Sequence, residues 1–385
     1  MKERVSDLFK SFFESEKSSG ILLIAVTLVS ILITNSSFQE SYLSFWEKDF
    51  AGMKIENWVN DALMAFFFLL IGLELKREFQ VGELSTFKKA ILPGISALGG
   101  VLVPALIYTI FNFTSTTKTG FGIPMATDIA FALGALSLLG NRIPFSIKIF
   151  LTALAVIDDL AAIVVIALFY SKGIVWTNLL ISMALFGVLL AFNKFKIKNL
   201  VLYLSVGVAM WYFMHHSGIH ATITGVLLAF TIPTSHNEHK SASAKLERIL
   251  QQPVPYLILP IFAMANTAII IESNWSEFLL ENYSKGIFIG LVLGKPIGIT
   301  LFTFIAVKLG ICELPKNISW TELFGVSILG GIGFTMSIFV TLLAFDDAQI
   351  INNSKFAILL SSLCAGTIGY IWLRIVLKGQ KSLDD

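Results

Sequence analysis

The chain has 385 residues, of which 55% are hydrophobic and 14% are charged, and its mean hydropathy is +0.78. A soluble domain carries about 25% charged residues, so this composition excludes an ordinary soluble protein and favours one embedded in a lipid bilayer. The net charge of +2 excludes a strongly basic nucleic-acid-binding protein, and the two cysteines and five scattered histidines indicate neither a disulfide framework nor a metal cofactor.

Twelve apolar segments are candidates for helices that cross the bilayer. Helices are expected because backbone polar groups must find their hydrogen bonds within the segment when lipid surrounds it. The sequence therefore predicts an all-α membrane protein with twelve transmembrane helices in one domain, residues 1–385. In chain order the segments are 20–35, 59–75, 90–112, 121–139, 145–169, 177–192, 200–214, 219–232, 254–271, 285–307, 323–345 and 355–377.

Orientation follows from the basic residues, since most of the 28 Lys and Arg residues fall on one side when the segments are threaded alternately through a membrane. The positive-inside rule makes that side the cytoplasm and, with an even number of spans, places both termini there. The first apolar run, Ile21 to Ile33, is interpreted as a retained span and not as a cleaved signal peptide. Two connections are longer than the others: 36–58, predicted as an outer loop or small hairpin, and 233–253, predicted as a cytoplasmic loop.

Span two begins near Asp61, which is interpreted as a helix N-cap at the outer interface. It ends in GLELKREF, which places Glu74, Arg77 and Glu78 on the cytoplasmic side, together with Glu247 of the later loop. The simpler interpretation of these four residues is a solvated helix end that obeys the orientation rule. The alternative is a charged funnel that gathers cations and responds to pH.

Two spans contain residues that interrupt a helix. Span four has Gly122 and Pro124 just before Thr127 and Asp128, and span eleven contains the run GGIGFTMSIF. A break at mid-membrane frees backbone groups and is tolerated where the backbone lines a cavity. A matching pair of interrupted spans predicts an inverted repeat with a binding site near the midplane. Asp128 is then either a ligand or a charge that balances the helix ends, and both interpretations stay open.

Span five carries two adjacent acids, Asp158 and Asp159. A carboxylate at the bilayer centre costs about 2.5–3.5 kcal/mol on insertion scales, so an intramembrane acid indicates an ion or substrate site. Two carboxylates, with Thr127 or a freed carbonyl, form an all-oxygen site that suits a hard cation such as Na⁺. Burial also penalises the ionised form, so H⁺ competes for the same oxygens. The alternative is one acid paired to a base and the other capping a kink.

Span ten contains Lys295, in GLVLGKPIGITLF. Its ammonium group needs an anionic partner in lipid, and Asp128, Asp158 and Asp159 are the acids predicted at similar depth. An ion pair that opens when a cation or proton arrives would couple occupancy to conformation, whereas a static salt bridge would only hold two helices together. His220, at the outer start of span eight, fits a cap or packed residue better than a pH sensor.

Seven segments are long and specific enough to indicate a family: FFFLLIGLELKRE, ATDIAFALG, LTALAVIDDLAAIVVIALFY, SGIHATITGV, YLILPIFAMAN, GKPIGI and GGIGFTMSIF. They resemble the NhaA-type bacterial sodium/proton antiporters, and the resemblance extends from about Gly20 to Arg374. It implies a twelve-helix fold with inverted repeats, in which the discontinuous spans four and eleven cross at mid-membrane.

For function, the resemblance implies exchange of cytoplasmic Na⁺ or Li⁺ for external H⁺ by alternating access, with a role in sodium and pH homeostasis. It implies more than one proton per sodium ion, which makes the exchange electrogenic, and activation at alkaline pH. It implies a secondary transporter and not an enzyme, without a cofactor, in the bacterial inner membrane. Its partners would be Na⁺, Li⁺, H⁺, the lipid bilayer and a second copy of the chain bound through the outer hairpin.

For the site, the resemblance implies that Asp158 and Asp159 bind Na⁺ and carry the protons. Lys295 would pair with Asp158, and Asp128 with Thr127 would belong to the crossing. The same comparison assigns a cytoplasmic pH response to the cluster of Glu74, Arg77, Glu78 and Glu247. Family members often carry histidines just after the residue that matches Glu247, whereas this chain has Arg248 and Gln251, so the pH midpoint is not predicted.

Two other functions compete with an exchanger. An intramembrane aspartyl protease could use Asp128 and Asp158, but the chain has MATD where that class has GxGD, and Lys295 would be an unusual neighbour. A passive cation channel would usually build a symmetric ring of carbonyls or charges, whereas this chain has one asymmetric internal site.

Overall fold

The computed structural model describes residues 2–82, 84–140, 143–171, 173–234, 241–271, 275–315 and 318–378, with side chains from residue 18 onward. The described part of the chain is mostly helical and contains one two-stranded sheet. The chain divides into two compact units. The first comprises residues 1–35, 83–162 and 269–385, and the second comprises 36–82 and 163–268.

The first unit is built from helices drawn from both ends and the middle of the chain. They are α1 (Lys2–Thr34), α5 (Phe87–Asn112), a 3₁₀ helix (Thr116–Met125), α6 (Ile129–Ser137), most of α7 (Phe145–Phe169), α13 (Trp275–Phe278), α14 (Asn282–Ile289), a π-helical turn (Gly290–Gly294), α15 (Lys295–Lys308), α16 (Trp320–Leu329), α17 (Phe334–Ala344) and α18 (Ala348–Leu377).

The second unit contains the sheet and the remaining helices. They are α2 (Gln39–Glu47), β1 (Asp49–Phe50), β2 (Met53–Lys54), α3 (Ile55–Asn57), a π-helical segment (Trp58–Leu63), α4 (Met64–Gln80), the end of α7, α8 (Trp176–Lys194), α9 (Leu200–His215), α10 (Ile223–Thr231), α11 (Ala242–Leu250), a second π-helical segment (Val254–Ile258) and α12 (Leu259–Asn266).

Six helices of the described residues are long and apolar enough to cross a membrane, and counting each of three bent helix pairs as one span gives up to nine. The other three predicted spans contain α9, α10 and α12, which are shorter than the roughly 20 residues of a straight span. A helical membrane architecture is therefore supported, and the number twelve stays a prediction.

Both interrupted segments contain a bend. The 3₁₀ helix Thr116–Met125 and α6 meet at 41°, and α16 and α17 meet at 49°. Residues 126–128 and 330–333 lie between the paired helices. Both breaks lie next to residues that destabilise a regular helix. These are Pro124 in the first segment and Gly330, Gly331 and Gly333 in the second.

Close backbone packing positions α15 within the first unit. A Cβ atom built on Gly99 of α5 would lie 2.2 Å from the carbonyl oxygen of Gly298, and a Cβ atom on Gly298 would lie 2.2 Å from that of Gly99. No side chain fits between these two helices at this level, so they meet backbone to backbone. Lys295 lies one turn before Gly298 and is fully buried.

The connection 36–58 contains α2 and a short hairpin in which Asp49 pairs with Lys54 and Phe50 with Met53. Its two turn residues, Ala51 and Gly52, have φ angles of 50° and 85°. Positive φ at both positions is typical of a type I′ turn, whose twist matches that of the strands. In the loop 233–253, α11 begins after Ser241, and residues 235–240 lie outside the described part of the chain.

Lys76 is buried in the second unit, although its place in GLELKREF indicated a solvated helix end. Its ammonium group donates to the carbonyl oxygens of Phe230 and Ile232 at the C-terminal end of α10, with Nζ 2.8 Å from Phe230 O. The last carbonyls of a helix lack partners within the helix and carry partial negative charge. Lys76 therefore joins the end of α4 to the end of α10.

Lys76→Met is expected to lower the midpoint of thermal unfolding, because the mutation leaves buried carbonyl groups without a donor. The loss should correspond to about 1–3 kcal/mol. Thermal unfolding of the purified chain in detergent measures it. Lys245→Met is the matched control, since Lys245 lies on the exposed face of α11, and equal midpoints for the two variants would contradict the capping role.

Asp61 is not a helix N-cap, contrary to the sequence interpretation. It lies inside the π-helical segment Trp58–Leu63, and its Oδ2 is 3.2 Å from Nδ1 of His215 at the end of α9. The His215 ring also stacks on Trp211, with ring centroids 5.7 Å apart. A cap could be proposed from residue type and position, but a partner on a distant helix could not.

The Asp61–His215 contact is expected to stabilise the protein only where His215 is protonated. His215 lies just beyond predicted span 200–214, and its hydrogen bond to Asp61 raises its pKa above the ordinary value of 6.5, with partial burial opposing the shift. A raised folded-state pKa contributes stability that is complete below the unfolded pKa and is lost as pH rises through the folded pKa. The thermal midpoint of His215→Gln should therefore fall below wild type at acidic pH and converge with it at alkaline pH.

The groups facing His215 are Asp61 and the neighbouring His216, whose ring centroid is 5.2 Å away. His216→Gln is the matched control, because the ring nitrogen Nδ1 of His216 contacts the Tyr212 carbonyl and not an acid. The expected difference is small, about 1 kcal/mol or less, as for other ion pairs that are partly exposed to solvent. A difference between wild type and His215→Gln that does not change with pH would contradict the ion pair.

Candidate functional site

The two acids of span five lie deep inside the first unit. Asp158 and Asp159 sit in the middle of α7 and are each 1% exposed. Adjacent residues of an α-helix point about 100° apart, so the two carboxylates cannot make identical contacts. α7 thus presents two buried carboxyl groups on neighbouring faces.

Asp158 contacts Lys295 directly. Its Oδ2 is 2.9 Å from Nζ of Lys295, and both side chains are completely buried. Of the three acids that the sequence indicated as possible partners of Lys295, Asp158 is the one whose carboxylate forms the ion pair. Separating a buried pair of this kind by removing one partner costs about 3–5 kcal/mol, because the other charge is left in a medium of low dielectric constant.

Thr127 completes the contacts of Asp158 Oδ2. The threonine hydroxyl lies 2.7 Å from this oxygen and 2.9 Å from the carbonyl oxygen of Gly330. A hydroxyl group has one proton, so it cannot donate fully to both acceptors at once. Asp158 Oδ1 is buried and has no hydrogen-bond partner among the described residues. The cluster therefore holds oxygen lone pairs that its own donors leave unused.

Lys295 also contacts a helix end. Its ammonium group donates to the carbonyl oxygen of Met125, the last residue of the 3₁₀ helix before the break. The Gly330 carbonyl beside Thr127 lies just past the last residue of α16. The C-terminal ends of the 3₁₀ helix and of α16 therefore each present a free carbonyl group to a donor, the Lys295 ammonium and the Thr127 hydroxyl respectively. These contacts stabilise the partial negative charge of the two helix ends.

Asp128 lies where two helix N-termini come together. Its Oδ1 accepts from the backbone N–H of Phe131 at 3.0 Å, which caps α6. Its Oδ2 accepts from the backbone N–H of Thr335 at 3.1 Å, in the first turn of α17, and from the Thr335 hydroxyl. The backbone N–H of Asp128 donates to the carbonyl oxygen of Ile332 at 2.7 Å, so the two breaks are in direct contact. These contacts favour the interpretation of Asp128 as a balancing charge, because three donors already occupy its oxygens.

The predicted pH-response residues come together in the second unit. Arg77 forms ion pairs with Glu247 of α11 and with Glu78, the latter at 3.3 Å. Glu74 lies one turn before Glu78 on α4, and such i, i+4 neighbours share a helix face. The Glu247 side chain is 6% exposed, whereas that of Arg77 is 45% exposed. A solvated helix end does not explain a buried glutamate.

His220 lies apart from those four residues in the sequence and contacts the end of α7 within the second unit. Its Nε2 is 3.2 Å from the carbonyl oxygen of Tyr170, beyond the end of α7. Such a contact is typical of a packed histidine that holds a loop.

Sequence reasoning missed several participants. Thr335 stood in the broken run GGIGFTMSIF without an assigned part. The sequence predicted that the breaks free backbone carbonyls, but it did not indicate that those of Met125 and Gly330 would be the ones in the cluster. The signal that could have found Thr335 is a donor residue directly after a glycine break, where a new helix begins with free N–H groups.

Comparisons with known proteins show which family the chain resembles. The family model described as Na⁺/H⁺ antiporter 1 matches residues 10–373. The Na⁺/H⁺ antiporter NhaA of Flavobacterium psychrophilum is 60% identical over 97% of this chain and 98% of its own. That of Cytophaga hutchinsonii is 57% identical over 97% of each.

A solved structure resembles the fold. The sodium proton antiporter MjNhaP1 from Methanocaldococcus jannaschii aligns with a TM-score of 0.50 and 15% identity, over 94% of this chain and 89% of that one. At this identity the likeness concerns the fold alone.

Proposed function

The chain belongs to the Na⁺/H⁺ antiporter 1 family, and from that premise we propose that it exchanges cytoplasmic Na⁺ or Li⁺ for external H⁺ by alternating access. As a member of this family it is a multi-pass membrane protein and a secondary transporter, not an enzyme. Its transported ions are Na⁺ and H⁺, and it carries no cofactor.

The observation that carries the proposal is the buried contact between Asp158 and Lys295, at 2.9 Å. A sodium ion that binds the Asp158 carboxylate must compete with the ammonium group already there. Asp158 Oδ1, buried without a hydrogen-bond partner in the described part of the chain, offers the first free oxygen to such an ion. Thr127 and Asp159 supply further oxygens, so sodium binding would loosen the ion pair.

Protons would replace sodium at the same oxygens. Burial penalises an ionised carboxyl group unless a cation compensates it, so a site that has released Na⁺ favours H⁺. Asp158 and Asp159 together can accept more than one proton in exchange for one Na⁺, which makes the cycle electrogenic. A dianionic site without either ion is too costly to cross the membrane, and this couples the two fluxes.

Asp128 would keep the crossing stable while the ion site changes its charge. Two helix N-termini carry together about one unit of positive charge, and the carboxylate of Asp128 offsets it. The donors from Phe131 and Thr335 hold this carboxylate at the junction of the two breaks. The inverted repeat and the mid-membrane crossing of spans four and eleven are part of this proposal.

The second-unit cluster of Glu74, Arg77, Glu78 and Glu247 would set the pH response. Protonation of Glu247 would release Arg77 from its ion pair. Because the Glu247 side chain is buried, the charges of its neighbours would influence that step. His220 stays a weaker candidate, since its contact with the Tyr170 carbonyl explains its position without a titration.

The proposed arrangement has twelve spans in a bacterial inner membrane, with both termini in the cytoplasm, as the distribution of Lys and Arg predicts. The hairpin of β1 and β2 would lie outside. Its residues Asp49, Phe50 and Lys54 are exposed, and unpaired strand edges of this kind favour pairing with a second copy of the chain.

The competing functions fit the contacts less well. An aspartyl protease needs two carboxyl groups that share a water molecule, whereas Asp158 is paired with Lys295 and Asp128 is held by Phe131 and Thr335. A passive channel is distinguished from an exchanger by its transport, because a channel would let Na⁺ flow without moving protons.

Proteoliposomes that contain a quenched pH-sensitive dye test the proposal. Adding Na⁺ or Li⁺ outside should release protons from the vesicles, with little response to K⁺, and the rate should rise from acidic to alkaline pH. Sodium flux without proton movement would support a channel, and no response to any ion would overturn exchange.

A further inference from the structure

A surface groove of the first unit lies at the C-terminal ends of α6 and α18. It has a volume of about 140 Å³ and is lined by Leu138, Leu139, Tyr370, Arg374 and Leu377. None of these residues belongs to the ion site or to the pH-response cluster. This space can hold several water molecules, which is enough for a phosphate group and its ester oxygens.

Two of the residues that line the groove bring side-chain hydrogen-bond donors to one helix face. Tyr370 and Arg374 are one turn apart on α18, so their side chains share that face. Neither side chain has a hydrogen bond or ion pair with any other residue in the described ranges. A guanidinium group offers five N–H donors in a planar fork, a geometry that matches the oxygens of a phosphate. Among the residues that the structure describes, none of those lining the groove is acidic.

The remaining walls are apolar. Leu138, Leu139 and Leu377 line the groove, and Leu138 is 50% exposed. Ile371 and Ile375, which lie on α18 with Leu377, are 50% and 68% exposed. A small anion from solution would gain nothing from leucine walls, whereas a molecule with a phosphate and hydrocarbon chains would use both surfaces.

The predicted orientation of the chain indicates which leaflet of the membrane the groove faces. Arg374 lies near the end of the last predicted span, 355–377, on the side assigned to the cytoplasm. Anionic lipids give this leaflet a negative surface potential, and basic residues at its edge attract them. We propose that the groove binds one anionic phospholipid of the cytoplasmic leaflet, with Arg374 and Tyr370 on its phosphate and the leucines along its acyl chain.

Bound in this way, the lipid would join the ends of two helices of the first unit. α6 has nine residues and begins directly after Asp128, so it is the short second half of the first broken segment. A ligand that bridges α6 and α18 would stabilise this half-helix at the end opposite the ion site.

Thermal unfolding of the full chain in an uncharged detergent tests the proposal. Phosphatidylglycerol should raise the wild-type midpoint more than phosphatidylcholine with the same acyl chains, and inorganic phosphate should leave it unchanged. Arg374→Gln should need about fivefold more phosphatidylglycerol for half of the effect, since one basic residue contributes about 1 kcal/mol at a membrane surface. Arg374→Lys should fall between the two, because it keeps the charge and loses the fork.

Lys194→Gln is the matched control, since Lys194 is an exposed basic residue in the last turn of α8 on the side also predicted to be cytoplasmic. It should respond to phosphatidylglycerol as wild type does. Tyr370→Phe removes one hydroxyl group without changing the shape of the groove, and it should weaken the response slightly even if the Arg374 variants fold poorly. A wild-type response in Tyr370→Phe and Arg374→Gln together, an equal effect of phosphatidylcholine, or an equal effect of inorganic phosphate would each overturn the proposal.

Discussion

Asp158→Asn is expected to reduce sodium-driven proton movement in proteoliposomes to the level of liposomes without protein. The amide has nearly the same shape as the carboxyl group, but it carries neither a full negative charge nor a titratable proton. It therefore removes both of the competing occupants, Na⁺ and H⁺, from one side chain. The same loss is expected of Asp159→Asn, and the pH-sensitive dye assay measures both.

The Asp158 variant also leaves the Lys295 ammonium without its carboxylate, at a distance of 2.9 Å in the wild type. A lower thermal midpoint is expected in addition, so folding must be measured separately by size-exclusion chromatography at low temperature. Glu313→Gln is the control, because Glu313 is an exposed acid in the loop before α16. Exchange by a folded Asp158→Asn protein at a rate near that of Glu313→Gln would remove Asp158 from the site.

The sequence predicted the parts of this site that depend on composition along the chain. Acids in an apolar segment are costly, so Asp158 and Asp159 stood out against their surroundings. A lysine in another span required an acid, and the contact with Asp158 was one of three choices left open. Glycine and proline marked both breaks, and bends of 41° and 49° occur there.

What could not be predicted depends on contacts between residues that are distant in the chain. Asp128 and Thr335 are 207 positions apart, and nothing in either segment specifies that one carboxylate caps two helices. Lys76 looked like one of several charges at a helix end, yet it is buried against α10. Asp61 was misread for the same reason, since its partner His215 lies on another helix. Residue type indicates a need for a partner, and only the fold supplies it.

Lys295→Met is expected to move the pH–activity profile of exchange towards alkaline pH and to lower the thermal midpoint. Methionine fills much of the space of the lysine side chain without its charge. Asp158 then loses the positive neighbour that favours its ionised form, so protons compete with Na⁺ at the site up to higher pH. Breaking a buried ion pair from one side costs about 3–5 kcal/mol, which a thermal unfolding curve detects easily.

Two further variants separate charge from packing in this prediction. Lys295→Arg keeps a positive charge and should retain part of both the wild-type profile and the stability, although its larger head group disturbs the contact with Met125. Lys285→Met makes the same change on α14, where the side chain is not fully buried, and should leave both measurements unaltered. If Lys295→Met matched Lys285→Met in pH profile and in thermal midpoint, the ion pair would have no part in transport or stability. A loss of stability with an unchanged profile would instead identify it as the static salt bridge that the sequence left open.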